Sequence, residues 1–451
     1  MIWERATMAE ADAPVAVQPR AFSDTTLLPD SASASLTGGN ETWRHVGPVP
    51  TAVQGWKLYI SGNNANFADL LAAVRPVLGD HTASYKHVAD ERILQRLNSG
   101  LEGYSQIGKT IVVYIEDASR ALPLLDELKT AVRDFAGSAI TPPFANPVGG
   151  GLPLSYRYGA FAGDTISIDG VQIPDDRSRK MSGLQALPPD PFLPALEAKP
   201  EERGLDSLLL AYPVFEVISQ SAKGGVFAAM DLDAPEFREV VIKLGRRNGN
   251  LLPDGRDGMD LLRHEKWFFD VAAGHGMGGH IPGLIAYAEF SASAALVMER
   301  IDGETLHALQ LRGALEARHV VAAAELLGQF HDAGLLVGDA KLANVMLTEG
   351  GALKVIDFET AAFVEARTKP DQHSTFLFTD SRLRARPAVW EKLHFLYSVL
   401  HAARHEEEAG KFDERTRIID LGAVLGTVPE TEAAAAALKM IRDIVSSEGL
   451  A

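Results

Sequence analysis

His331-Asp-Ala-Gly-Leu-Leu-Val-Gly-Asp339-Ala-Lys-Leu-Ala-Asn344 is followed, after a short apolar run, by Leu353-Lys-Val-Ile-Asp357-Phe-Glu. Transfer of a phosphoryl group from a nucleotide needs a carboxylate beside the attacking hydroxyl and metal ligands beside the phosphates. Asp339 and Asn344, in Asp-x-x-x-x-Asn spacing, offer the hydroxyl-orienting carboxylate and one metal ligand on a single loop. Asp357, thirteen residues further on, offers the second ligand. Each piece is common alone. Their order and spacing point to phosphoryl transfer, against the bland alternative of a loop carrying two surface aspartates.

The upstream parts of a protein-kinase-like unit follow the same order. Val240-Val-Ile-Lys243 reads as a strand ending in a lysine for the nucleotide phosphates. Leu261-Leu-Arg-His-Glu265 lies on a helical pattern and offers the glutamate that pairs with that lysine. Ser221-Ala-Lys-Gly224-Gly225, between two apolar runs, reads as a glycine turn over the phosphates. Leu296-Val-Met-Glu299-Arg-Ile-Asp-Gly303 reads as the last strand of the first lobe and the hinge beside adenine. ATP or another NTP, with Mg2+ on Asn344 and Asp357, is the expected cofactor pair.

Two other patterns carry nothing. Gly274-His-Gly276-Met-Gly-Gly279 matches Gly-x-Gly-x-x-Gly but follows a helical pattern and runs into Ile281-Pro282, where a dinucleotide loop needs a strand before it and a helix after it. His401-Ala-Ala-Arg-His405 has zincin histidine spacing, but Ala402 stands where the catalytic glutamate belongs.

Length and composition bound the rest. At 451 residues the chain has room for two to three domains. A net charge of −17 argues against a nucleic-acid partner, which favours a basic face. No apolar run approaches a membrane span, and the start lacks a signal-peptide core, so a cytoplasmic location without membrane attachment is expected. With no cysteine, disulfides, thiolate zinc sites and cysteine nucleophiles are excluded.

The expected class is α+β. Residues 1–40, rich in Ala, Ser, Thr, Asp and Pro, read as a mobile segment. Residues 41–187 form a first α+β domain, with strands at Trp56–Ile60, Ser84–Val88 and Thr110–Ile115 and helices at Asn66–Val77, Glu91–Leu97 and Ser119–Phe135. The proline-dense stretch 188–206 reads as a linker. The two lobes of the kinase-like domain span 207–300 and 301–451, and Thr427-Val-Pro-Glu430 has the spacing of a capping box for the last helix.

The first domain also carries a resemblance. Gly55-Trp-Lys57-Leu-Tyr59-Ile-Ser, Tyr85-Lys86, Gly108-Lys109-Thr-Ile-Val-Val-Tyr114 and Tyr156-Arg157-Tyr158-Gly159 resemble the N-terminal lyase domain of class III and IV lanthipeptide synthetases, which is related to phosphothreonine lyases. Ile356-Asp357-Phe-Glu-Thr-Ala continues it in place of the usual Asp-Phe-Gly. The resemblance implies a relay: a kinase phosphorylates Ser or Thr of a precursor peptide carrying a leader, and a lyase expels the phosphate to leave a dehydroamino acid. It implies Lys86 as the base, with its pKa lowered by burial or neighbouring cations. It also implies Lys57, Arg157 and, more weakly, Lys109 as the phosphate cage.

Departures from the family pattern qualify this. The family has Lys-x-His, the His serving as general acid; here Tyr59 holds that position, and a phenol is a weak acid near neutral pH. His87 is a conceivable substitute, but strand alternation points it away from Lys86. The chain ends about 95 residues after Asp357 and has no cysteine, so a zinc-binding cyclase is not expected. The second lobe looks abbreviated: Ala-Pro-Glu has no counterpart, and Trp390-Glu-Lys-Leu-His-Phe-Leu-Tyr replaces the usual Asp-bearing helix. Such a plan resembles the lipolanthine-type synthetases, which work with a flavin-dependent cysteine decarboxylase. A small-molecule phosphotransferase and a peptide-binding scaffold with a silent lyase domain are the alternatives.

Overall fold

The computed structural model describes residues 42–138, 140–175, 187–196, 203–252, 254–365, 377–378, 380–408 and 418–450. The expectation for residues 1–40, and that for residues 197–202 of the linker, lie outside them. The chain is a mixture of helix and sheet and divides into two compact units, Met1–Gln95 with Gly108–Glu197, and Arg96–Ile107 with Ala198–Ala451. No described helix is long and apolar enough to cross a membrane.

The first unit is built on β1 (Trp43–Val46), β2 (Gln54–Ile60), α1 (Phe67–Asp80), β3 (Ser84–Val88), α2 (Glu91–Ser99, whose end belongs to the other unit), β4 (Ile111–Ile115), α3 (Ala121–Ala131), β5 (Asn146–Pro147) and β6 (Leu154–Ala160). A hairpin of β7 (Thr165–Ile168) and β8 (Val171–Pro174) follows. The strands form one sheet in the order β1-β3-β4-β2-β6-β5, every pair antiparallel. Side chains alternate between faces. Trp56, Leu58 and Ile60 of β2 therefore share a face with Tyr156 and Tyr158 of β6, and Trp56 packs against Tyr156, Tyr158 and Phe192. The helices α1 and α3 bury Leu70, Val74, Leu124 and Leu128. Lys57, Tyr59 and Arg157 point to the opposite face.

In the second unit α4 (Arg203–Ala211) precedes β9 (Val214–Gln220), β10 (Gly224–Asp231) and β11 (Arg238–Arg246). Helix α5 (Gly258–Gly274) leads to β12 (Leu284–Glu289) and β13 (Ser293–Glu299). These strands form an antiparallel sheet ordered β12-β13-β11-β10-β9. Helix α5 starts where Asp257 accepts from Met259 N and Asp260 N, a capping box completed by Asp260. Then come β14 (Gly303–Thr305), α6 (Leu306–Leu311), α7 (Ala317–Asp332), β15 (Leu335–Leu336), β16 (Val345–Thr348), β17 (Leu353–Val355), α8 (Pro387–Glu408), α9 (Leu421–Leu425) and α10 (Glu432–Ser447). One core runs from Phe268 on α5 through Phe330 on α7 to Trp390 on α8 and Ile441 on α10.

The last helix starts later than its sequence signal. Thr431, not Thr427, caps α10 by accepting from Ala434 N. Pro429 biases Val428 away from the helical region, which disfavours a start at Thr427.

Candidate functional sites

In the second unit a hairpin explains the spacing of Asn344 and Asp357. β16 pairs with β17 so that Val345 opposes Val355. Asn344 thus ends the catalytic loop on one side of the hairpin and Asp357 leaves it on the other, joined by Ile356 N donating to Asn344 O at 2.9 Å. Asn344 Nδ2 donates to Asp339 O at 2.9 Å and closes the loop on itself. Asp357 adopts φ +74°, a left-handed backbone that costs a non-glycine residue energy. Phe358 behind it is fully buried, its ring 4.7 Å from Phe268 and 5.4 Å from Phe269 of α5.

Lys243 of β11 joins these parts. Its Nζ lies 2.6 Å from Glu265 Oε1 and 3.2 Å from Asp357 Oδ1. Glu265 Oε1 also accepts from Phe358 N at 3.3 Å, so one buried carboxylate aligns both the lysine and the Asp357 segment. Burial opposes the Lys243 charge, but Asp357, Glu265 and Glu359 outweigh it and raise its pKa. Burial likewise opposes the Asp357 charge, while Lys243, Lys223 and Lys341 hold that carboxyl well below its ordinary range.

A cleft of about 740 Å³ is lined by Gly224, Gly225, Lys243, Glu299, Asn344 and Asp357, together with Lys223 and Glu359. Asp339 is not among the lining residues; it is half-buried on the loop that ends at Asn344, its Oδ2 2.6 Å from Lys341 Nζ. Glu299 ends β13 with its carboxylate on Lys354 Nζ at 2.7 Å and Gly283 N at 2.9 Å. The glycine of Gly224 has a packing reason besides the cleft: a Cβ there would lie 1.6 Å from Leu244 O. Carboxylate atoms of Glu265, Asp357 and Glu359 lie within 4.8 Å of one another.

Sequence reasoning missed what holds the loop. Buried Glu391 of α8 accepts from Gly338 N at 2.6 Å and Val337 N at 3.3 Å, and lies 2.7 Å from His331 Nε2. The Trp390-Glu-Lys-Leu-His stretch thus does carry an acidic anchor, a glutamate in place of the sought aspartate. One turn on, buried His394 reaches Ala340 O and Asp339.

In the first unit the register groups the cations. Lys57 pairs with Tyr114 and Arg157; two residues along, Tyr59 pairs with Val112 and Ser155. Val112 in turn pairs with Lys86, which pairs with His45. Lys57, Tyr59, Lys86 and Arg157 therefore share one sheet face. Lys109 joins them with its Nζ 5.4 Å from the Tyr59 ring, and Lys86 Nζ lies 4.3 Å over the Trp43 ring. Lys57, Tyr59, Lys109 and Arg157 are all buried. His87 lies on the other face with its Nδ1 2.8 Å from Val88 O.

The unanticipated member is Asp175, which follows the β7–β8 hairpin. Its fully buried carboxylate lies 2.6 Å from Arg157 Nη2 and 4.0 Å from Lys57 Nζ, and accepts from Ala160 N at 3.0 Å. Lys57 Nζ also donates to Ala160 O at 2.7 Å. A Cβ on Gly159 would fall 2.7 Å from the Arg157 guanidinium and 2.8 Å from Asp175 Oδ2, so glycine there gives the ion pair its room. Nothing in the local sequence marks a lone aspartate beyond a short hairpin as a partner for two strand cations.

Residues 28–181 match the family model described as RamC, N-terminal domain. The chain is 25% identical over 347 residues to the probable SapB synthase of Streptomyces coelicolor, an alignment covering 69% of this chain and 36% of that protein. Over 79 residues it is 38% identical to the serine/threonine-protein kinase PknA of Mycobacterium tuberculosis, covering 16% of this chain and 18% of the kinase. Over 93 residues it is 30% identical to the 3-deoxy-D-manno-octulosonic acid kinase of Xylella fastidiosa, covering 21% and 37%. The chain thus spans little more than a third, or less, of the curated relatives it matches. Together these similarities support a lanthipeptide synthetase-like family and a kinase-like enzyme.

Proposed function

We propose that the chain is a bifunctional kinase–lyase. It phosphorylates Ser and Thr of a leader-bearing ribosomal precursor peptide and eliminates the phosphate to give dehydroamino acids in lanthipeptide biosynthesis, in the lipolanthine manner and with a flavin-dependent cysteine decarboxylase as partner. The observation that carries the kinase half is Lys243 held between buried Glu265 and Asp357 at the wall of the cleft. That arrangement keeps a cation ready for a polyphosphate and fixes a carboxylate where a metal ion is needed. ATP or another NTP fits the cleft, and Mg2+ fits the oxygen donors Asn344 and Asp357. When bound, Mg2+ neutralises phosphate charge. Asp339 orients the substrate hydroxyl and takes its proton as the oxygen bonds to phosphorus and the nucleoside diphosphate leaves.

In the lyase half Lys86 removes the α-proton of the phosphorylated residue. The C–H electrons form the Cα=Cβ bond as the Cβ–O bond breaks, and Lys57, Arg157 and Lys109 stabilise the departing phosphate. Tyr59 stands where a proton donor serves the leaving group. The test of the kinase half is Asp339→Asn with precursor peptide and ATP, read by mass spectrometry. The variant should lose phosphorylation by a factor on the order of a hundred to ten thousand. Phosphate addition at the native rate overturns the assignment.

One observation favours a second reading, in which the first unit binds peptide without eliminating phosphate. Asp175 already bonds Arg157 and sits 4.0 Å from Lys57, offsetting one of the two charges, and Tyr59 replaces the family's imidazole. A synthetic phosphoserine peptide that the wild-type chain binds but never dehydrates would select this reading.

A further inference from the structure

The nucleotide cleft holds a second lysine that the motifs leave unassigned. Lys223 sits at the tip of the β9–β10 turn, and its Nζ bonds both carboxylate oxygens of Glu359 at 2.6 and 2.5 Å. The pair ties the turn to the segment just after Asp357, and both residues line the cleft. We infer that Lys223 is a phosphate ligand held in reserve by Glu359, and that it exchanges the carboxylate for phosphate oxygens when a nucleoside triphosphate enters. The inference rests on the nucleotide-cleft reading above and extends it.

The turn itself is pinned, so the exchange falls to the side chain. Lys223 O accepts from Arg246 N at 2.8 Å. Gly258 lies so close that a Cβ there would stand 2.0 Å from Lys223 O. The Lys223 side chain, in contrast, is 40% exposed and sits on a long flexible stem.

Lys243 cannot make the same exchange. Its partner Glu265 is fully buried, and a buried carboxylate stripped of its cation is strongly disfavoured. Glu359 retains 22% exposure, so water can take over its hydrogen bonds when Lys223 leaves. The charges lead the same way. Three lysines, 223, 243 and 341, face the four carboxylates of Glu265, Asp357, Glu359 and Asp339, so the cleft has no surplus cation until one lysine is released. Handing Lys223 to the polyphosphate supplies that cation and strands no buried charge.

The test is ATP binding by calorimetry in EDTA, with the full-length chain, AMP as control and thermal unfolding of each variant. Lys223→Met should weaken ATP about tenfold, the loss of one charge-assisted contact. Glu359→Gln should tighten ATP by about threefold, because an exposed competitor for the lysine is gone. Neither change should move AMP, which lacks the outer phosphates. Unaltered ATP affinity in Lys223→Met, or weakened binding in Glu359→Gln, overturns the exchange and leaves the pair a static strut. A folded wild-type chain that binds no ATP overturns the nucleotide-cleft reading, and the inference with it.

Discussion

His394 presents its Nε2 to Asp339 Oδ1 at 3.5 Å, while its Nδ1 lies 2.6 Å from the carbonyl of Ala340. A carbonyl only accepts, so Nδ1 carries the hydrogen. Burial holds the ring below the ordinary imidazole pKa, against the pull of Asp339. Lys341 adds to the lowering and Glu391 opposes it, and the Trp390 ring stacks at 5.1 Å. In the neutral ring Nε2 is a lone pair aimed at a carboxylate. That suits Asp339 poorly when it is ionised and well once it has taken a proton from a hydroxyl.

The pair therefore predicts a kinetic signature. His394→Phe keeps an aromatic ring beside Trp390 but removes the acceptor. It should lower kcat for peptide phosphorylation by about tenfold or more while leaving the KM for ATP unchanged. Steady-state kinetics on the folded variant decides it. An unchanged kcat would mean that the imidazole only fills space.

Glu391 makes a stability prediction. Its carboxylate is the acceptor for two buried backbone N–H groups of the segment leading into Asp339. Glu391→Ala strands both, at a cost of about 1–3 kcal/mol each. Glu391→Gln keeps one acceptor oxygen and should fall between wild type and alanine. Thermal unfolding measures the order; an alanine variant as stable as wild type would show that the loop is held elsewhere.

These two residues also mark where the sequence stops being readable. Lys243, Glu265, Asp339, Asn344 and Asp357 were legible because each belongs to a local pattern: a strand end, a helix face, or a loop–hairpin spacing. The strands of the first unit were legible for the same reason, since Trp56–Ile60 and Ser84–Val88 alternate or run apolar between turn signals. Glu391 and His394 come more than fifty residues after the loop they support, in a helix whose own pattern reads as plain core. Lys223 and Glu359 are 136 positions apart. Such partnerships are set by how elements pack, and no spacing records them. Thr427 misled for a local reason, because the capping pattern matched while Pro429 biased Val428 against the helix.

Asp175 predicts a pH dependence. Burial works to raise its pKa, but the Arg157 guanidinium, Lys57 and the Ala160 N–H more than offset this and hold the carboxyl below its ordinary value. The unfolded chain, with a carboxyl near pKa ~3.9, takes up the proton first as the medium is acidified. The stabilisation is thus present above about pH 4 and is lost as pH falls toward the folded-state value. Asp175→Asn, which leaves Arg157 and Lys57 without their counter-charge, should cost about 3 kcal/mol at pH 7. The gap between variant and wild type should narrow as the medium is acidified below about pH 4. Thermal unfolding of both across that range gives the answer, and a gap that stays constant or widens in acid contradicts the assignment.

The division of labour on the cationic face gives the last prediction. Lys86 and Tyr59 stand in one row of the sheet with Val112 of β4 between them, so in the proposed elimination the lysine and the phenol approach the substrate from two sides. Lys57 and Arg157 are neighbours two residues along the same face. Lys86→Met should stall elimination, and phosphorylated peptide should accumulate because the kinase site lies in the other unit. Tyr59→Phe should slow elimination far less. A phenol is a weak acid at neutral pH, and a preorganised cationic cage stabilises a departing phosphate by several kcal/mol without a proton. Single-turnover elimination from a synthetic phosphoserine peptide compares the two, with Tyr59→His as the third arm. Equal losses in Tyr59→Phe and Lys86→Met would make the phenol an essential acid. An inert wild type that Tyr59→His revives would instead identify the tyrosine as the change that silenced this face.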